Sequence, residues 1–402
     1  MKVVGYSYPW DYVGDPHAAP RAAALGVDVV AVAAAYHASR VVGPLHPTRR
    51  VMEVPQSAIY VPVREEAWRG HRLVPSCPTW TKDENLFAGA QRQLMDAGVE
   101  VNAWLVLTHH DDLGRSNSDL VVQNAYGDSY SYALCPQAPD VREYCLTLVE
   151  EILRSSDCPG VVVEACGPMG LEHAGPHDKS EFAQWSFTSK QLLSICFCHH
   201  CQRGLEESGL DVDELGRRVR EGVDRAALSI EEALGDELSE RVATFRIAIA
   251  TELRRAIVKK IREVKPGAAI TLHASANQWA TGPFSALCAA DSLEGVSAVV
   301  ANCWDPSTGE YELQTLHALV EDRVRVGAYL RLDQGWFGES LVQDTIGRYV
   351  RAGMTELHLY HLGLLSRAGL EAATRVVRDS AKYTVGHWMR RRTTGSIEEL
   401  PL

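Results

Sequence analysis

The chain has 402 residues, a hydrophobic share of 46%, a charged share of 23% and a net charge of −12. That composition is expected of a soluble globular protein with one large α/β domain or two ordinary ones; the acidic balance argues against nucleic-acid or anionic-membrane partners, which need a basic face. No signal-peptide core precedes the first strand pattern and no apolar run reaches the ~18 residues of a membrane span, so the ten cysteines are expected as reduced thiols in the cytoplasm.

Strand patterns fall at 3–8, 27–34, 99–107, 160–164, 268–275, 296–302, 324–333 and 355–361. Helical patterns separate them at 18–25, 83–97, 140–153, 238–264, 313–321, 339–352 and 370–383. Several βα units share one cue, a Gly between helix and strand (Gly26-Val27, Gly98-Val99), where glycine supplies the left-handed cap. Eight alternating units with no Gly-rich phosphate loop after the first strand predict a (β/α)8 barrel, a TIM barrel, over a doubly wound sheet. The reading is a single barrel domain over 1–387 with a solvated tail at 388–402. Long insertions at 38–82, 108–139 and 165–237 all follow strands, which puts them on the C-terminal face. The first carries six prolines and is expected to cover part of the mouth, with Tyr60, Trp68 or Trp80 offering contact area.

Side chains alternate across a strand. Parity places Tyr6, Tyr8 and Trp10 on one face of the first strand and its end, and Thr271, His273 and Ser275 together on the fifth. It groups Tyr329, Arg331 and Asp333 on the seventh strand, and Glu356, His358 and Tyr360 on the eighth. Barrel interiors are usually filled by Val, Ile and Leu, so an interior this polar needs partners within itself or in a ligand. One outcome is a self-satisfied network, with Arg331 neutralised by Glu356 and both histidines as hydrogen-bonded core. The other is a pocket. Tyr6, Tyr8, Trp10, His37, His110, His273, Asn302, Trp304, Arg331, His358 and Tyr360 together offer aromatic faces beside polar groups, which suits a small carbohydrate or glycoside.

Glu164 closes the apolar run Gly160-Val161-Val162-Val163, and a carboxylate at the C-terminal end of a barrel strand reads as catalytic. Glycosidic cleavage needs a second carboxylate, and Asp333 at the end of the seventh strand is the candidate nucleophile or base. Further along, Cys196, Cys198 and Cys201 form a C-x-C-x-x-C run that reads as three ligands of a metal site. Cys135, Cys158, Cys166, His199 and His200 are candidates for the fourth.

These residues resemble glycoside hydrolase family 42, β-galactosidases with a (β/α)8 catalytic barrel and a structural zinc held by four cysteines. The segment from Cys135-Pro136 to Arg142-Glu143-Tyr144 looks like the stretch carrying that family's first zinc cysteine, and the C-x-C-x-x-C run looks like the other three. The resemblance covers residues 95 to 205. It implies Cys135 as fourth ligand, zinc as the ion and Glu164 as the acid/base. The chain departs from the family in having Val163 where Asn precedes the acid/base Glu, and Asp333 where a Glu is the nucleophile. It shows no counterpart of the family's trimerisation domain; whether copies associate into a homo-oligomer is left open.

Two other classes compete. A metal-dependent hydrolase or lyase would use His37, His109, His110, His273 and His358, although the first strand has no H-x-H and H-E-x-x-H is absent. A non-catalytic sugar-binding barrel would have lost its carboxylate pair, and the Glu164–Asp333 separation is the discriminating observation.

Overall fold

Eight short, apolar, β-branched segments pair side by side in one direction and close on themselves. In the computed structural model, which describes residues 1–172, 185–288, 293–331 and 339–390 (backbone only at 339–341 and 384–390), they are β1 (Lys2–Ser7), β2 (Val29–Tyr36), β3 (Glu100–Val106), β4 (Gly160–Glu164), β5 (Ala269–Ser275), β6 (Ala298–Asn302), β7 (Arg325–Arg331) and β8 (Glu356–Tyr360). Parallel pairing runs in sequence order, and β1 pairs with both β8 and β2, so the sheet has no open edge. The expected (β/α)8 barrel is therefore the observed one. All eight strands lie within two residues of the expected bounds.

Helices α1 (Ala18–Leu25), α2 (Leu86–Asp96), α3 (Pro139–Ser155), α4 (Asp236–Val264), α5 (Gly309–Leu319), α6 (Glu339–Arg351) and α7 (Arg367–Arg390) accompany the strands. Among the described residues no helix lies between β5 and β6, as the pattern predicted. Gly26 and Gly98 follow α1 and α2 with φ of 81° and 79°, the left-handed conformation a side chain would strain. None of the described helices is long and apolar enough to cross a membrane.

The 29-residue α4 buries one stripe of Val242, Ile249, Leu253, Ile257 and Ile261. Phe245 is only half-buried, and it bridges the barrel core to a second, smaller core. The better probe of the stripe is Ile257, which is fully buried. Ile257→Ala should cost about 2–5 kcal/mol, measured by denaturant unfolding, as large-to-small core changes do. A loss under about 0.5 kcal/mol would show that this face carries no packing load.

The three insertions follow β2, β3 and β4. The first begins with a hairpin, Ser39–Val42 paired antiparallel with Val51–Val54. Of its three aromatic candidates, Tyr60 and Trp68 are buried, and Tyr60 packs edge-on against Trp10, so both serve the core, while Trp80 is half-buried. The second insertion carries a short helix (Asp111–Ser116) and a strand pair (Val121–Gln123 with Ser129–Leu134). The third packs helices Phe187–Leu193, His199–Glu207, Val212–Asp224 and Ile230–Leu234 around their own core of Leu192, Phe197, Leu215, Val219 and Leu234.

Candidate active site and thiol centre

Glu164 is the last residue of β4 and is 7% exposed. One oxygen, Oε2, accepts a 2.8 Å hydrogen bond from Trp104 Nε1 of β3 and lies 3.4 Å from His273 Nδ1 of β5. Oε1 takes no hydrogen bond from the described residues. Burial pushes the carboxyl up to about 8, and the Trp104 bond only partly opposes it. At neutral pH Glu164 therefore carries a proton, the state a general acid needs.

Above it three phenols meet. Tyr8 Oη lies 3.3 Å from Tyr36 Oη and 3.4 Å from Tyr360 Oη. Burial, the neighbouring phenols and the Glu164 charge raise the Tyr36 pKa, so Tyr36 stays neutral and able to donate. With His37, His109 and Asp111, these tyrosines line a cleft of about 610 Å³. Its far wall is the hairpin strand from Ser39 to Val42, which meets the expectation that the first insertion covers part of the mouth. The His37 and His109 rings stack at 4.0 Å with an interplanar angle of 17°. Burial lowers the His37 pKa against the opposing influences of the Ala38 carbonyl and Asp111, so it acts as a neutral hydrogen-bonder.

The predicted site residues separate by depth. Tyr360, Trp304, Arg331, Asn302 and His37 are at or near the surface of the mouth, with the Arg331 guanidinium 5.1 Å above the Trp304 ring. Tyr8 and Trp10 are 2% exposed and stack at 4.5 Å. Trp10 also borders a separate 50 Å³ cavity beside Asp11, Asp15 and His46, large enough for water but not for a sugar. His110 caps the helix Asp111–Ser116, its Nδ1 accepting from Leu113 N, and burial drops its pKa to about 4. Tyr6, His273 and His358 lie below the mouth at 1% exposure or less, hydrogen-bonded to one another. For these three the fold contains a buried hydrogen-bonded network, in which His273 Nδ1 is left without a hydrogen-bond partner. The network alternative had Glu356 neutralise Arg331, but Glu356 pairs with Arg325. Strand register explains this, since Tyr360 stands beside Arg331 and Glu356 beside Gly327. Four residues, about 13 Å of strand, separate the two groups. Asp333 lies outside the described residues.

Three residues of this site were not in the predicted set. Trp104 shares the inward face of its strand with Asn102 and would have followed from the parity applied to β1. Tyr36 lies two residues past the expected end of the second strand, beyond a register shift between Ala33 and Ala35. Asp111 is buried and accepts from Ser57 Oγ at 3.3 Å.

A second centre lies between the barrel and the third insertion. Cys135 precedes α3, Cys198 caps the helix His199–Glu207, and Cys201 sits in its first turn. Cys135 Sγ is 3.5 Å from Cys198 Sγ, 3.5 Å from Cys201 Sγ and 3.9 Å from Cys196 Sγ. Four sulfurs within 4.8 Å of one another can hold a metal ion, and among the described residues no other group of three such donors comes as close. Of the open candidates for fourth ligand, Cys135 is the residue brought in. Four thiolates on a divalent ion would leave a net negative charge. Buried Arg246 from α4 faces them, donating to the Ser194 carbonyl at 3.0 Å, with Cys196 and Cys201 partly offsetting the burial that lowers its pKa. The helix N-terminus beneath Cys198 favours thiolate as well.

Solved (β/α)8 barrels of several glycoside hydrolases share this architecture. The chain resembles the catalytic domain of a β-amylase from Paenibacillus polymyxa (TM-score 0.60, 12% identity, covering 95% of this chain and 98% of that one). It also resembles α-L-fucosidase isoenzyme 2 from Paenibacillus thiaminolyticus (0.56, 12%, 96% of this chain and 50% of that one) and a GH42 β-galactosidase from G. stearothermophilus (0.53, 10%, 95% and 57%). The chain thus spans only about half the length of the latter two. At such identities the likeness is one of fold. No family model and no curated protein matches the sequence.

Proposed function

We propose that the chain is a glycoside hydrolase acting on a small carbohydrate or glycoside, with Glu164 as general acid and Asp333 as nucleophile or base. The observation that carries this is the Glu164 carboxyl itself: it ends a barrel strand, acts on Tyr36 and Tyr360 in the lining of the cleft, and is held protonated near neutral pH by burial. Hydroxyl-rich ligands match such a lining, because the aromatic faces take sugar C–H groups while phenol and imidazole edges exchange hydrogen bonds with hydroxyls. Likeness to several glycosidase barrels supports the class without choosing the sugar. We assign the thiol centre to structural zinc. A tetrahedral site with Zn–S of about 2.3 Å has sulfurs about 3.8 Å apart, close to the separations seen. With four protein ligands the ion has no open position, and its part is to tie the third insertion to the segment before α3.

The test is a screen of aryl glycosides followed by two variants on any hit. Glu164→Gln should lose most turnover on unactivated glycosides yet spare the first step on substrates with good leaving groups, which need little protonation. Asp333→Asn should abolish both. If both variants stay within about tenfold of wild type, roughly 1.4 kcal/mol of barrier, neither residue carries the chemistry. A binding-only or metal-dependent reading would then take over.

A further inference from the structure

A line of buried polar groups crosses the barrel interior from its lower rim to Glu164, and its hydrogen atoms can be assigned one after another. At the lower end Glu356 is 1% exposed, and its Oε1 lies 2.6 Å from Arg325 Nε in an ion pair off-line for a hydrogen bond. Its carboxylate can only accept, so His358 Nε2, 3.2 Å from Oε2, carries a hydrogen. Arg325 already neutralises Glu356, so His358 need not be charged, and a neutral imidazole has one N–H. His358 Nδ1 is then bare and accepts from the Tyr6 hydroxyl at 3.0 Å. Tyr6 has no second hydrogen, so its oxygen accepts from His273 Nε2, also at 3.0 Å. That leaves His273 Nδ1 bare, and it faces Glu164 Oε2 at 3.4 Å.

We infer that Glu356, His358, Tyr6 and His273 form a directional hydrogen-bond chain that fixes the His273 tautomer and thereby holds Glu164 in its protonated form. The chain is a set of positioning residues for the acid proposed above, and its consequence for catalysis rests on that reading. A bare nitrogen facing Oε2 opposes charge on that oxygen. With the proton on Oε1, Oε2 becomes a carbonyl-type oxygen satisfied by Trp104. Two acceptors then face each other, which accounts for His273 Nδ1 being buried without a hydrogen-bond partner. The opposite tautomer would aim an N–H at Oε2 and favour the carboxylate. Among the described residues near Glu164, Tyr36, Tyr329 and Tyr360 feel its field from β2, β7 and β8, Trp104 faces it from β3, and none of these four brings a full charge. His273 is flanked by Tyr6, Phe284, Tyr329 and the His358 ring, and burial first, then His358, holds it well below the usual imidazole range. Sequence supports the chain at one further point. A Cβ on Gly327 would stand 2.7 Å from His358 Cδ2 and 2.8 Å from Nε2, so the residue beside the imidazole must lack one.

Two measurements test this without a substrate. Long-range proton–nitrogen NMR on the intact wild-type protein should find both His273 and His358 as Nε2–H tautomers with bare Nδ1. A hydrogen on His273 Nδ1 would overturn the proposal. The second follows the infrared band of the protonated Glu164 carboxyl, identified by its loss in Glu164→Gln, as pH is raised. Tyr6→Phe keeps the ring contacts but removes the hydroxyl, and Glu356→Gln frees the chain to reverse. Each should lower the titration midpoint by about one pH unit, a tenfold change in proton affinity. Tyr329→Phe touches the same groups from outside the chain and should leave the midpoint unmoved. If neither Tyr6→Phe nor Glu356→Gln shifts it, or Tyr329→Phe shifts it equally, the chain does not govern Glu164. Should one chain variant fail to fold, the other and the NMR result still decide. A lack of glycosidase activity would leave all these readouts standing, so the two proposals fail separately.

Discussion

Glu164→Gln should make the protein more stable, by a margin that opens above about pH 4.5 and stops growing once pH passes about 8. In the folded chain the Glu164 carboxyl titrates at about 8, against 4.5 for an ordinary one. Between those values the native state holds a proton that the unfolded state has released, so stability falls as pH rises through that window. At about 1.4 kcal/mol per unit, the full loss is roughly 4–5 kcal/mol once the group is ionised. Glutamine cannot ionise and still accepts from Trp104, so it escapes the loss. Below about pH 4.5 the two proteins should melt together; by pH 9 the variant should melt several degrees higher. A difference in melting temperature that is flat from pH 4 to 9 would show that Glu164 is not held neutral by burial. The gain in stability would come from the residue proposed to do the chemistry, the usual trade between stability and activity at a catalytic position.

The second large effect is at the thiol centre. Protein purified without added zinc should contain about one equivalent of the metal, and Cys198→Ser should contain far less. Since binding free energy at a closed thiolate site is also folding free energy, on the order of 10 kcal/mol in small zinc domains, the variant should lose solubility and melting temperature together. It should not lose activity in proportion among molecules that remain folded, because none of the four cysteines lines the cleft. Metal-free protein with an unchanged melting temperature would remove the structural role.

Most of the barrel was legible because its signals are local. Gly98 after α2 and the run Gly160-Val161-Val162-Val163 each announce a boundary without reference to the rest of the chain. Parity was equally local, and it correctly turned Tyr6, His273 and His358 inward. Depth was not legible. Whether an inward side chain belongs to the mouth or to the packed floor depends on its height along the barrel axis, which is set by register between strands far apart in sequence. Tyr6 and Tyr360 share an orientation, yet one is fully buried and the other partly open to the cleft. The same lack of register left an Arg331–Glu356 pair open as an alternative, and it hid Tyr36, which a shift in pairing carries past the end of the pattern. The thiol centre was readable for the opposite reason: three of its four cysteines sit within six residues, and only Cys135 had to come from elsewhere.

The long helix α4 belongs to two interiors at once. Its first turns contribute Val242 and Ala243 to the small core of the third insertion, while Ile249 to Ile261 lie in the main core. At 1.5 Å per residue its 29 residues make a beam about 43 Å long with one end in each. The insertion therefore has no seam along which it could detach as a unit. Melting it would strip the N-terminal third of the helix of its neighbours, and amide protection along α4 would then be graded rather than uniform, lowest near Asp236 and rising towards Val264. An insertion joined in this way behaves less like an appendage on the barrel than like a bracket sharing one of its ribs.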